Sequence, residues 1–172
     1  MKMIFFMTLC SCLFFAPVHG QTKEEKKEEK AKKGAEEFEK TKALIDGKVY
    51  EFEASWTTSS QGGRVNLMSR ANLLQIRNDS VDVHLAYFGV LQAGGASLNR
   101  EGGIVYEGLM DEYETKINAK KSTVTIKFNT KKSPDYYQFI MTVYKNGSTT
   151  ISVSSNVRSS SQYDGITRAI KE

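Results

Sequence analysis

The chain has 172 residues, with 24 Lys and Arg against 20 Asp and Glu for a formal net charge of +4. So small a basic excess, spread along the sequence, argues against nucleic acid as a partner, which needs a clustered basic footprint. Both cysteines, Cys10 and Cys12, precede Gly20, so the rest of the chain offers no disulfide and no thiolate metal site.

The first element is a secretory signal. Lys2 precedes the apolar run Ile4–Phe15, which is too short to cross a membrane, and Ala16-Pro17-Val18-His19-Gly20 supplies a breaker and small residues. Cleavage is expected between Gly20 and Gln21, releasing a mature chain without a transmembrane span to the periplasm or beyond. The alternative is a lipoprotein acylated at Cys12, since Leu9-Cys10-Ser11-Cys12 loosely resembles a lipobox. The apolar Leu13-Phe14-Phe15 stands where a polar tether would follow. Residues 21–46 form a charged Lys/Glu-rich helical lead-in and 47–172 a β domain; residues 21–172 together make one domain, long enough to bury about 68% of the unfolded surface.

In the lead-in, Glu28/Lys32, Glu29/Lys33 and Glu36/Lys40 stand four residues apart with the acid first, a favourable helical orientation. Upstream of about Ala35 there is no apolar stripe. Phe38, Leu44 and Ile45 provide one downstream, and Gly47 suits a left-handed cap. Lys48–Trp56 alternates, with Tyr50, Phe52, Ala54 and Trp56 expected inward. Val65–Met68, Leu73–Arg77 and Val81–Phe88 read as further strands, separated by a flexible turn and by Asn78-Asp79-Ser80. Gly89–Gly103 is a long connection, bracketed by Gly94-Gly95 and Gly102-Gly103, of the kind that often carries function. Ile104–Glu107, Asp111–Asn118 and Thr123–Asn129 follow. The clearest strand is Asp135–Lys145, where Tyr137, Phe139, Met141 and Val143 share a parity. It meets Asn146-Gly147, suited to a two-residue type I′ turn. Thr149–Asn156 returns, and a turn at Asp164-Gly165 interrupts the last segment. The fold class is all-β: an antiparallel up-and-down meander of about eight to ten strands, as a small barrel or a two-layer sandwich. Tyr136, Ile140 and Tyr144 give one strand a second apolar face, part of which Phe38 and Ile45 are expected to cover.

Several segments carry a resemblance. Tyr87-Phe88-Gly89, Gly102-Gly103-Ile104-Val105-Tyr106-Glu107-Gly108 and the run from Ser154 to Gly165 make the chain similar, over about residues 36–170, to the secreted bacterial family named domain of unknown function 4251 (DUF4251). The resemblance implies a signal peptide, a charged helical lead-in and a β-rich domain, in a family typical of Bacteroidetes with no established activity. Val90-Leu91-Gln92-Ala93 departs from the Tyr- and Pro-rich loop of that family.

Candidate sites are sparse. His84 shares a strand face with Asp82, but no nucleophile elbow accompanies them. Metal-ligand spacing and a phosphate loop are both lacking, so no cofactor or metal is expected. Asn99 and Arg100, with Glu101, form one polar group beside Tyr106. Asn156 and Arg158 form another near Tyr163, and Asn99, Arg100, Tyr106, Asn156, Arg158 and Tyr163 are the candidate ligand contacts. Asp79-Ser80-Val81 would suit O-glycosylation at Ser80 if the source is a Bacteroidetes organism. The leading function is a non-enzymatic module that binds a small ligand, glycan, lipid or envelope protein at one end of the β domain. The alternatives are an envelope assembly protein and, last, a hydrolase using Asp82 and His84 or Asp111, Glu112 and Glu114. A cavity lined by Trp56, Tyr87 and Phe139 would favour ligand binding. A solid core with an apolar outer patch would favour assembly.

Overall fold

The computed structural model describes residues 23–59, 62–67, 72–89, 103–131 and 136–170. Helix α1 spans Lys23–Asp46. Its buried residues, Gly34, Phe38, Thr41 and Ile45, are three or four positions apart and so share one stripe, whereas Lys23 to Lys33 are all exposed. Gly47 N–H closes the helix on Ala43 C=O at 3.1 Å. The left-handed residue is Lys48 (φ 49°), not Gly47. Its ammonium lies 4.8 Å from the Tyr113 ring centre and 3.3 Å from Asp79 Oδ1, contacts that hold the entry to the first strand.

The strands are β1 (Val49–Ser59), β2 (Arg64–Asn66), β3 (Leu73–Arg77), β4 (Ser80–Ala86), β5 (Gly103–Asn118), β6 (Thr123–Lys131), β7 (Tyr136–Tyr144), β8 (Ser148–Ser155) and β9 (Ser161–Arg168). Every pairing is antiparallel, and β1 joins β9 to close eight strands into a barrel. One edge of β1 pairs with β3 over Val49 to Glu53 and with the short extra strand β2 over Trp56 to Thr58. The sequence left barrel and sandwich open; the β1–β9 ladder decides for the barrel, which removes the free edges.

Alternation sets what lies inside. Phe52, Ile76, Val83, Phe128, Phe139, Met141 and Ile151 have no surface that water reaches. No cavity of water size therefore adjoins these residues. Phe128 and Phe139 stack at 4.9 Å and 8° across β6 and β7. Full burial of each such side chain contributes about 1.5–3 kcal/mol.

Four local expectations are corrected. Trp56 is not inside: Ala54 pairs with Gly165 and Trp56 with Asp164, so Ser55 is an extra bulge residue. The bulge resets the parity, placing Thr57 and Tyr163 inward and Trp56 outward beneath the Arg64 guanidinium at 4.7 Å. Asp164-Gly165 is not a turn but the middle of β9; a Cβ on Gly165 would lie 2.0 Å from Glu53 O, so glycine permits the bulged β1 to approach. At the β7–β8 hairpin only Gly147 of the Asn-Gly pair is left-handed (φ 80°). Its N–H bonds Tyr144 C=O at 2.9 Å and its carbonyl accepts from Thr167 N at 2.8 Å, so β9 helps select a longer loop over a type I′ turn.

The helix supplies the fourth correction. Phe38 and Ile45 join the interior cluster, and Thr41 Oγ1 donates to Lys145 C=O at 2.9 Å. α1 thus lies against the barrel end formed by the start of β1 and the β7–β8 turn. Tyr136, Ile140 and Tyr144, 39–44% exposed, remain uncovered on the outer face.

Candidate functional site

With α1 at one end, strand direction identifies the other. β4 starts beside Lys48 and finishes at Ala86, while β9 ends at Arg168 beside Glu51 and begins at Ser161. Tyr87–Gly89 and Val157–Ser161 therefore meet at the far rim. These segments belong to two of the sequence runs that carry the family resemblance.

Arg158 is the central residue there. It is 4% exposed, and its guanidinium carbon lies 5.1 Å from the centre of the Tyr87 ring. Its Nε is buried with no hydrogen-bond acceptor among the described residues. Tyr87 Oη donates to Ser159 C=O at 3.2 Å and lies 2.9 Å from Ser159 Oγ. Gly89 packs so closely that a Cβ would fall 2.4 Å from Tyr87 Oη and 2.6 Å from Ser159 Oγ. Tyr163, fully buried behind this group, donates its hydroxyl to Ala86 C=O at 2.9 Å. Burial raises its phenol well above the ordinary value; hydrogen bonding to Ser161 and Thr57 and the Arg158 charge oppose the rise, while Tyr87 adds to it. Tyr163 is consequently a neutral donor at physiological pH and not an anionic partner for Arg158.

The other sequence candidates separate. Tyr106 is a barrel-interior residue, 5% exposed, with its hydroxyl on Leu109 C=O at 2.8 Å, so it is not a surface contact. Asn156 is exposed and its Oδ1 accepts the Tyr136 amide at 2.9 Å, joining the ends of β7 and β8. Asn99, Arg100, Gly20, Gln21 and Cys12 lie outside the described residues. Ser80 is half-buried at the β3–β4 turn and donates to Arg77 C=O at 2.9 Å.

Sequence reasoning missed the Arg158–Tyr87 pair and Asn72. Asn72 is buried; its Oδ1 accepts from Ala86 N at 2.7 Å and its carbonyl from Ala54 N at 2.9 Å, fixing β1 and β4 to each other near the rim. Its signal is a polar residue standing just before an apolar strand. Arg158 and Tyr87 have no signal in spacing, since 71 positions separate them, and only barrel closure joins them.

The acids held in reserve for hydrolysis do not converge. His84 Nε2 lies 3.1 Å from Asp82 Oδ1, yet among the described residues Oδ1 has no hydrogen-bond donor, so the ring is close without being aligned. Both side chains lie on the outer face of β4. Glu112, left-handed at φ 53° in a bulge of β5, accepts from Asn129 Nδ2, and Glu114 faces Lys116 and Lys127 in an outer groove. Among the described residues no group of three His, Cys, Asp or Glu side chains could hold a metal, and no helix is long and apolar enough to cross a membrane.

Comparison with known proteins agrees with the architecture. A solved structure of a DUF4251 family protein from Bacteroides eggerthii superposes with a TM-score of 0.60 at 16% identity, covering 77% of this chain and 87% of that one. At that identity the likeness concerns the fold alone. No functionally curated protein is significantly similar to the chain. The family described as domain of unknown function (DUF4251) matches residues 32–167, from within α1 to the end of β9. That span is most of the sequence, and the chain belongs to the DUF4251 family.

Proposed function

We propose that the protein is a non-enzymatic extracytoplasmic binding module whose recognition site is the far rim of the barrel. The observation that carries this reading is Arg158: a nearly buried cation, supported by an aromatic ring and left with an unpartnered donor. Buried polar groups are normally satisfied, so an unsatisfied one calls for an explanation, of which a bound partner is one. Phe88, 49% exposed beside Tyr87, adds apolar contact area. The filled middle of the barrel argues against a ligand threaded through it and favours recognition at the rim. Extracytoplasmic placement rests on the apolar segment before Gly20. The intact mass of native protein tests it: Gln21 as first residue supports it, and an acyl group on Cys12 would replace secretion by anchoring.

Amide-resolved NMR titration with peptides, glycans and lipids tests the rim. Saturable shifts at Tyr87, Gly89 and Ser159 are expected, and a ligand that perturbs only other surfaces would reject the assignment. The assembly reading has its own support in the uncovered Tyr136, Ile140 and Tyr144 together with a sealed core. It predicts concentration-dependent association that Ile140→Lys abolishes.

A further inference from the structure

We propose that the group recognised at the rim is an oxyanion, a carboxylate or a phosphoryl group, with Arg158 as its counter-ion. This rests on the rim being the binding end. The first support is charge. The acids along the three nearest strands stand beside other basic side chains: Glu51 and Glu53 with Arg168, Asp164 with Arg64, and Asp82 with the His84 ring. Tyr163 stays neutral, so Arg158 has no anion of its own among the described residues. A cation held this deep without an anion is costly, and stacking on Tyr87 offsets only part of that cost.

Geometry supplies the second support. The guanidinium carbon lies over the Tyr87 ring, whose π-face accepts no conventional hydrogen bond, and the guanidinium directs its N–H donors in its own plane. A planar fork of this kind matches two oxygens of a carboxylate or phosphate better than a spherical halide. The hydroxyls of Tyr87 and Ser159 stand together beside it at 2.9 Å. Glycine at position 89 keeps backbone against that pair, where any Cβ would collide with both oxygens.

The experiment titrates the intact protein with sodium phosphate, sodium acetate, sodium chloride and the neutral sugar maltose at fixed ionic strength. It follows the amides of Tyr87, Gly89 and Ser159 and the Arg158 Nε–H resonance. Saturable shifts with phosphate or acetate are expected, and which of the two is tighter tells phosphoryl from carboxylate. Arg158→Gln should weaken binding about ten- to a hundredfold, the loss typical of a charge-assisted contact. If that variant does not fold, the wild-type Nε resonance decides alone, because a new hydrogen-bond acceptor on the guanidinium moves its proton downfield. Equal shifts with chloride, or an Nε signal unmoved by both oxyanions, would overturn the inference. Maltose or another neutral ligand binding at the same amides with Nε unmoved would overturn it too, yet leave the rim as the binding end. Rim amides silent to every probe and ligand would remove both.

Discussion

Phe38 is where the helix can be asked what it contributes. It is the one large aromatic residue of α1, 7% exposed, and it belongs to the interior cluster together with Ile45. Truncating a buried phenylalanine to alanine costs about 3–5 kcal/mol when the site cannot collapse. Here the residue lies at a barrel end, where neighbours have room to relax, and a value near 3 kcal/mol is expected. With a urea m-value of about 2 kcal/mol/M, that loss lowers the unfolding midpoint by about 1.5 M. Deleting Lys23 to Lys33, which are all exposed, should shift stability by less than about 0.5 kcal/mol. Urea unfolding of the wild type, Phe38→Ala and the truncation measures all three under one protocol. Equal midpoints for wild type and Phe38→Ala would refute the claim that the helix is part of the core. Loss of stability in the truncation alone would mean that the charged segment, and not the stripe from Gly34, holds the helix in place.

Gly165→Ala should cost at least about 3 kcal/mol, because its Cβ meets the backbone of Glu53 and Ala54 and not a flexible side chain; a thermal midpoint within a degree of wild type would contradict the close approach of β1 and β9. Arg168 bonds Glu51 at 2.8 Å and Glu53 at 2.7 Å, and because Glu51 is buried while Arg168 is partly exposed, Arg168→Ala should cost about 1–2 kcal/mol, between exposed and buried pairs. Chemical denaturation checks this, and an unchanged midpoint would make the pair ornamental. Burial raises the phenols of Tyr50 and Tyr163 above their ordinary value, so the unfolded chain releases these protons first: stability is full below about pH 10 and falls above it, by about 1.4 kcal/mol per unit for each. A level urea midpoint from pH 9 to 11 would count against that burial. If the source is a Bacteroidetes organism, peptide mapping of native material distinguishes a glycan on Ser80 from an ordinary Asx-type turn there, and bare Ser80 throughout would remove that modification.

How much of this was legible depended on whether a feature is local. Period-two alternation placed Tyr137, Phe139, Met141 and Val143 inside without reference to any other strand, because one buried face fixes parity along a single segment. It failed at Trp56, where an extra residue in β1 is accommodated against the β9 backbone at Gly165, far along the chain. It failed likewise for Asn146-Gly147, whose turn type is chosen partly by Thr167. The helix shows the same divide. Its apolar stripe was readable from Phe38 and Ile45, but the choice between the outer face of β7 and the barrel end was not. An open sandwich offers a face to cover, whereas a closed barrel offers an end, and closure is a property of β1 meeting β9. The candidate site lies wholly on the non-local side. Arg158 was singled out as a polar residue near Tyr163, but its buried state and its Tyr87 support exist only after eight strands bring the two ends of the β domain together. That dependence has a physical corollary. Anything that loosens the β1–β9 seam, such as a side chain at Gly165, should loosen the rim before the interior, because the rim residues are held by connections between strands and the interior by packing within them.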